Sequence, residues 1–294
     1  MGVYALILAA VKQEKDMGDA ARIAAKIKEH YGDGDLTKRL QAALNAAGLT
    51  EKQLSSIDLA PLDQFHTRGL AATAELAGLL GIKKDAVVID IGSGLGGQTR
   101  CIAAAFDCRV HGIDLSTPFV EAATYLAERT GLADKVTYEC ADALALPFDS
   151  ESFDLAWTQH VAMNIADRVG LYAEIHRVLR PNGRFAIYDV VAGEGGPLLY
   201  PVPWARRAET SSLVTPASMR AMLEERGFRI VEWADCTAAS IAWFAEQQKL
   251  REQAARSPSQ LGIHLAMGPG FSGDGGKSRP KSPRKPRCNY PGGG

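Results

Sequence analysis

The stretch Val87-Val88-Ile89-Asp90-Ile91-Gly92-Ser93-Gly94-Leu95-Gly96-Gly97 decides the fold. Its β-branched, apolar first half reads as a buried strand. An acid and four glycines then mark an abrupt exit into a tight loop, and Gln98 to Phe106 continues with helical spacing. Strand, glycine loop and helix form the ligand-cradling unit of an open α/β sheet, where ligands sit beyond the carboxyl ends of the strands. Gly92, Gly94 and Gly97 fit G-x-G-x-x-G, and Asp114 ends the next strand at about the distance a ribose-binding acid needs, which is the dinucleotide pattern. Asp90 with Gly92, Gly94 and Gly96 equally fits D-x-G-x-G-x-G. The loop alone leaves both readings open.

Charge separates them. A pyrophosphate on the helix N-terminus is helped by positive charge and hindered by an adjacent carboxylate. Asp90 is a poor neighbour for phosphate and a good one for an ammonium or sulfonium. A further acid, Asp142, follows the third strand of the series and is placed to accept from an adenine amino group. Three acids at three strand ends, with no Lys or Arg in the loop before Arg100, suit a phosphate-free adenosine ligand.

Outward from this loop, strand-like and helical runs take turns: RVHGID, Pro118 to Thr130, KVTYEC, FDLAWTQHV, Arg168 to Leu179 and RFAIYDVV. That alternation predicts an α/β fold, a Rossmann-like open and mostly parallel sheet with helices on both faces. Residues 1–80 read as an N-terminal helical cap, with helices on either side of a turn at 32–35 and another over Gly69 to Leu80. The domain proper spans 81–255, and its aperiodic stretch 192–213 reads as a lid excursion. A helix from Pro216, the strand FRIVEWADC and a helix over Ala238 to Arg251 follow. Residues 267–294, rich in Gly, Pro and bases, are expected to be disordered.

In a chain of 294 residues, 46% hydrophobic and 23% charged residues describe an ordinary globular protein. The segment 267–294 carries six bases against Asp274, a net +5 that leaves −6 on the remainder of a chain whose total is −1. An acidic body argues against a nucleic-acid face. Five scattered cysteines form no CxxC pair, which favours a reducing, cytoplasmic setting over a disulfide framework. The opening MGVYALILAAV is too short to span a bilayer and reads as a first helix or a loosely ordered start. The six histidines share no close ligand spacing, so no metal site is expected.

Five motifs in order carry a resemblance: Val88 to Gly97, Gly112-Ile113-Asp114-Leu115-Ser116, Ala141 to Phe148, Ser152-Phe153-Asp154-Leu155-Ala156-Trp157, and Val178 to Arg184. Together they resemble the class I S-adenosylmethionine-dependent methyltransferases. The segments Gln159 to Asn164 and Tyr200 to Trp204 are most similar to the small-molecule enzymes grouped near the sarcosine and dimethylglycine N-methyltransferases. The resemblance implies that S-adenosyl-L-methionine is the cofactor, with Gly92, Ser93, Gly94 and Gly96 around its methionine part. It further implies Asp90 toward the amino group, Asp114 and Leu115 at the ribose, and Asp142 and Ala143 at the adenine. Gln159, Arg68 and Tyr31 join this set, Arg68 as a partner for the cofactor carboxylate and Tyr31 as a closing aromatic.

The acceptor is then expected above the strand ends near Gln159, as a small molecule bearing an amine nitrogen, with C- or O-methylation as alternatives. His160 is the candidate proton acceptor, since an imidazole titrates near neutral pH. His66, Asn164, Tyr200 and Trp204 are candidate pocket walls. Two other readings stay open: a nicotinamide-dependent oxidoreductase, and a cofactor-binding protein without turnover. The family's antiparallel last strand inserts between the strands here read as RFAIYDVV and FRIVEWADC, yet no strand-like run follows Cys236. That last strand is expected to be missing, leaving open sheet edges.

Overall fold

The computed structural model describes residues 2–10, 35–50, 52–194, 196–254, 261–262 and 265–266, with the backbone alone along 4–10 and at 251, 253 and 254. Tyr31 and the segment 267–294 lie outside the described residues, as does the helix expected before residue 32. Seven strands are described: β1 (Gly2–Ala10), β2 (Val87–Ile91), β3 (Arg109–Asp114), β4 (Val136–Cys140), β5 (Phe153–Gln159), β6 (Leu179–Val191) and β7 (Phe228–Asp235). Eight α-helices accompany them: α1 (Leu36–Ala46), α2 (Ser56–Asp63), α3 (Gly69–Leu80), α4 (Gly97–Phe106), α5 (Thr117–Thr130), α6 (Arg168–Val178), α7 (Pro216–Glu225) and α8 (Thr237–Ala254).

The strands form one sheet in the order β4-β3-β2-β5-β6-β1-β7. Strands β2 to β6 pair in parallel, while β1 runs antiparallel to both β6 and β7. Side chains alternate between two apolar layers. Val88, Ala186, Tyr188 and Val190 join Leu76, Leu80 and Ile102 on the face covered by α3 and α4. Ile89, Ile91, Phe185 and Ile187 join Leu171, Ile175, Met219 and Leu223 on the face covered by α6 and α7. This period of two is what a sheet buried on both faces requires.

The place of the last antiparallel strand is filled from the other end of the chain. The opening stretch, expected as a helix or loose start, is the strand β1, with Gly2 opposite Val191 through Ala9 opposite Arg184 on one side. On its other side Tyr4 faces Asp235 and Ala10 faces Phe228. An unbroken apolar run suits a central strand buried on both faces as well as it suits a helix, and periodicity cannot separate the two. What selects the strand is the gap between β6 and β7, whose unpaired backbone groups are satisfied only by an extended segment. The ladder continues into α8, where Cys236 N–H donates to Val3 O at 2.7 Å and Val3 N–H donates to Thr237 Oγ1 at 3.0 Å.

The cap has its own apolar cluster, in which Leu36, Leu40, Leu44, Leu59 and Leu62 meet Leu95 of the glycine loop, Phe119 and Leu126 of α5, and Ala266. Helix α2 was not read from the sequence, although its signal is present: Ser55 and Asp58 form a reciprocal capping box. Its importance is positional, because α2 delivers the connector Asp63 to Arg68 to the glycine loop.

Candidate active site

The loop leaves β2 by folding over the next strand: Gly92 N–H and Ser93 N–H both donate to Ile113 O, at 2.8 and 2.9 Å. Asp114 then fixes the crest, accepting from Gly94 N–H on Oδ2 and from Ser116 N–H on Oδ1, each at 2.9 Å. Gly94 and Gly96 hold φ of 54° and 74°, in the left-handed region where a Cβ is penalised. Their surroundings differ. A Cβ on Gly96 would lie 2.2 Å from Tyr138 Oη, whereas one on Gly94 would meet nothing closer than the Phe65 ring at 3.8 Å.

Asp90 is fully buried, and Thr99 Oγ1–H donates to its Oδ2 at 2.5 Å while Oδ1 has no partner. Burial pushes this carboxyl up to about 7, against the Thr99 hydrogen bond, and the nearby Asp114 charge adds to the rise. Desolvation likewise raises Asp114, opposed by its backbone donors. Ser93 Oγ is also buried without a partner. Orphaned buried acceptors of this kind carry a desolvation cost that a bound donor removes.

Arg100, the base nearest the loop, is committed beneath it. Its Nη2–H donates to Asp63 Oδ2 at 2.5 Å, its Nη1–H to Leu95 O at 2.7 Å, and both side chains are buried. Tyr138 Oη–H closes the network onto Gly96 O at 3.3 Å. Burial raises the Asp63 carboxyl to about 6 against the pull of Arg100. The guanidinium therefore braces the loop from below.

The connector from α2 touches the site at each step. Asp63 holds Arg100. Gln64 accepts from Thr73 Oγ1–H at 3.0 Å, and a Cβ on Gly97 would sit 2.6 Å from its Nε2. Phe65 lies over Gly94, His66 Nε2 meets Gly69 O at 3.0 Å and Thr73 Oγ1 at 3.1 Å, and Thr67 Oγ1 meets Tyr188 Oη at 2.8 Å.

Past the connector lies a second polar cluster. Gln159 Oε1 accepts from Trp157 Nε1–H at 3.1 Å and shares the one Thr73 Oγ1–H with Gln64 Oε1, at 3.1 and 3.0 Å, and its Nε2 has no partner. Ser240 of α8 completes a hydroxyl triangle, 3.2 Å from Thr67 Oγ1 and 3.3 Å from Tyr188 Oη. His160 takes a left-handed φ of 54°, donates its N–H to Tyr188 O at 2.7 Å and stacks on the Tyr188 ring at 5.4 Å. Its ring centroid is 6.0 Å from that of His66, and its Nε2 is shielded from solvent without a partner. Burial pushes His160 down to about 3, with His66 adding, and His66 down to about 4, so both imidazoles are neutral at pH 7. Gly92 joins this cluster to the loop, since a Cβ there would strike Val161 Cγ2 at 2.5 Å.

The structure thus brings Asp90, Gly92, Ser93, Gly94, Gly96, Asp114, His66, Gln159 and His160 together. Asp142 follows the end of β4, where Ala141 N–H donates to Asp114 O at 3.0 Å; its Oδ1 accepts from Leu144 N–H at 2.9 Å, and Leu115 and Ala143 are half-buried nearby in sequence. Other candidates have partners elsewhere. Arg68 forms an ion pair with Glu75 rather than with any residue of the glycine loop. Asn164 spends its amide on the excursion, donating to Trp204 O and Thr210 O at 2.9 Å each. Trp204 donates to Ser211 Oγ at 3.0 Å and packs in the core, where Tyr200 is a partly buried neighbour. Asp63, Gln64, Phe65, Thr67, Thr73, Arg100, Tyr188 and Ser240 were missed, since they converge only when the connector, α3, α4, β6 and α8 come together. Among the described residues no cluster of His, Cys, Asp or Glu could hold a metal, and no helix is long and apolar enough to cross a membrane.

Residues 89–187 match the family described as a methyltransferase domain. Sterol 24-C-methyltransferase erg-4 of Neurospora crassa is 35% identical over 114 residues, covering 39% of this chain and 30% of that protein. The 27-O-demethylrifamycin SV methyltransferase of Amycolatopsis mediterranei is 37% identical over 130 residues, covering 44% and 47%. These alignments span less than half of the relatives' own length. Among solved structures, phosphoethanolamine N-methyltransferase 2 of Haemonchus contortus with S-adenosyl-L-methionine superposes with a TM-score of 0.60 at 21% identity, covering 77% of this chain and 52% of that one. The [4+2]-cyclase SpnF superposes with a TM-score of 0.55 at 23% identity, covering 79% and 83%. Residues 89–187, from the acid-and-glycine loop of β2 through the core of β6, thus match a methyltransferase domain, set in the Rossmann-like fold of the superposed structures.

Proposed function

We propose that the protein transfers a methyl group from S-adenosyl-L-methionine to a small-molecule acceptor. The observation that carries this reading is the loop's charge: Asp90 Oδ1 lies buried and unpaired, Asp114 sits at the crest, and Arg100 is locked beneath. That arrangement welcomes an ammonium and offers no cation to a pyrophosphate, which counts against the nicotinamide alternative. The glycine loop with Asp90 and Ser93 would hold the methionine part, Asp114 with Leu115 the ribose, and Asp142 with Ala143 the adenine. When bound, the cofactor supplies an activated methyl on a sulfonium, which needs no further electrophilic help. The protein's task is then to hold the acceptor in line and to exclude water, a service worth several kcal/mol of barrier when geometry is good. Gln159, His160, His66 and the excursion 192–213 would do this, with Arg68 and Tyr31 as rim contributors.

Because Gly2–Ala10 belongs to the sheet, we read only residues 35–80 of the expected 1–80 cap as a cap on the domain 81–255, the acidic body as unsuited to nucleic acid, and the scattered free cysteines as those of a cytoplasmic protein. Resemblance favours an amine nitrogen as the acceptor. Because the fold also serves a cyclase, cofactor binding and turnover are separate questions. A thermal melt with S-adenosylhomocysteine or NADH tests the first, since a ligand that binds only the folded state raises the midpoint. A rise with S-adenosylhomocysteine that Asp114→Ala abolishes is expected, and a rise with NADH alone would overturn the reading. Release of S-adenosylhomocysteine on incubation with S-adenosylmethionine and an acceptor mixture tests the second.

A further inference from the structure

The polar cluster beyond the connector is unusual in carrying no charge. Its members are His66, Thr67, Thr73, Gln159, His160, Tyr188 and Ser240, and the contacts that join it to its surroundings go to Trp157, Gln64 and the Gly69 carbonyl. Among the described residues no carboxylate acts on either imidazole: burial governs both, with a backbone carbonyl or the other ring as the remaining influence. The Arg68 guanidinium, whose charge reaches Tyr188, is ion-paired with Glu75.

Two buried polar atoms in this cluster lack partners, and their chemistry is complementary. Trp157 is a donor only, so it fixes the Gln159 amide with Oε1 toward the indole and leaves Nε2 as a spare donor. His160 is a neutral imidazole whose unpaired Nε2 accepts when the proton is on Nδ1. Gln159 and His160 are joined through Thr73 and the ring contact with His66. One spare donor and one spare acceptor are what a hydroxyl satisfies. An ammonium cannot accept from Gln159, and with the His160 proton on Nδ1 a carboxylate or phosphate has no hydrogen to give its Nε2. Either charged group would also be desolvated with no counter-ion, at a cost of several kcal/mol.

Resting on the methyltransferase reading, we propose that this site recognises its acceptor through a neutral hydroxyl, which accepts from Gln159 Nε2–H and donates to His160 Nε2. The acceptor accordingly presents the uncharged hydroxyl of an alcohol, phenol or enol to this pair, whichever of its atoms takes the methyl, and an ammonium is excluded from the same position.

Phenol, benzylammonium and benzoate are probes of similar size that differ in the group they present. Each is added to the full chain already saturated with S-adenosylhomocysteine, and the melting midpoint is read. Phenol should raise it further, while benzylammonium and benzoate should leave it unmoved. Gln159→Glu replaces the spare donor with an acceptor and keeps the partner of Trp157, so it should lose the phenol shift and gain one with benzylammonium. A charged probe that binds the wild type as well as phenol does, binding by none of the three, or a phenol shift unchanged in Gln159→Glu overturns the proposal. The wild-type comparison stands even if the variant fails to fold. Absence of the initial shift with S-adenosylhomocysteine is a different failure and overturns the cofactor reading instead.

Discussion

Replacing Leu6 by proline tests the least expected element, the strand β1. In the described sheet Leu6 lies between Ile187 of β6 and Trp233 of β7. In a central antiparallel strand each N–H is turned to one neighbour or the other, so proline at Leu6 removes a ladder bond whichever way it points. Loss of that bond, together with the ring's steric demand, costs about 3 kcal/mol or more. For a chain of this size a loss of that order lowers the melting midpoint by roughly 6–12 °C, at about 2–4 °C per kcal/mol. Leu6→Val keeps the N–H and the strand preference, and should shift the midpoint by much less. Differential scanning calorimetry reads both variants, and hydrogen exchange of the wild type should show amides 3–9 protected to the level of β6. A Leu6→Pro midpoint within about 2 °C of the wild type, with fast exchange along 3–9, would refute the strand assignment and the inference that β6 and β7 depend on it.

The remaining expectations concern the loop. Affinity for S-adenosylhomocysteine should fall by up to about tenfold per pH unit below pH 7, because the ligand's ammonium favours an ionised Asp90 and burial holds that carboxyl at about 7; titration calorimetry should show this slope flattened in Asp90→Asn. The same group, raised in the folded state above its ordinary 3.8, stabilises the unliganded protein fully below about pH 4, and that contribution is lost as pH rises through 7. Arg100→Met strands a buried Asp63 carboxylate and should cost about 3–5 kcal/mol in a urea melt, with Asp63→Leu added to it restoring part of the loss; a double variant worse than the sum would contradict the pairing. Gly96→Ala, blocked by Tyr138 at 2.2 Å, should lose about 2–5 kcal/mol of stability from overpacking and left-handed strain combined. Gly94→Ala, with nothing nearer than 3.8 Å, should lose only the strain, about 1–2 kcal/mol, and show its larger effect on S-adenosylhomocysteine affinity.

The glycine loop and its acids, which we propose hold the cofactor, were legible in the sequence because their chemistry is local. Asp90, the glycines, Asp114 and Asp142 all stand where a strand ends, and strand ends announce themselves by a switch from apolar residues to acids and glycine. The loop's bracing was not legible, since Asp63 and Arg100 meet across 37 positions and each alone reads as an ordinary charged residue. The polar cluster proposed to face the acceptor was half legible: Gln159 ends a recognisable strand and His160 follows it, but Thr67, Tyr188 and Ser240 meet only when the connector, β6 and α8 are in place. Arg68 and Asn164 have residue types suited to a ligand, and the fold gives them partners in Glu75 and in the excursion.

The sequence by itself determined the layered α/β architecture, the position of the ligand loop and the sign of its charge, because each follows from short-range periodicity and from which residues sit at strand ends. Only the tertiary structure decided that Gly2–Ala10 is a central strand and that the polar cluster around Gln159 and His160 gathers uncharged side chains. An apolar run carries no information about its own secondary structure until the backbone groups of β6 and β7 demand an extended partner. A polar cluster likewise has no net character until the fold determines which charges it leaves outside.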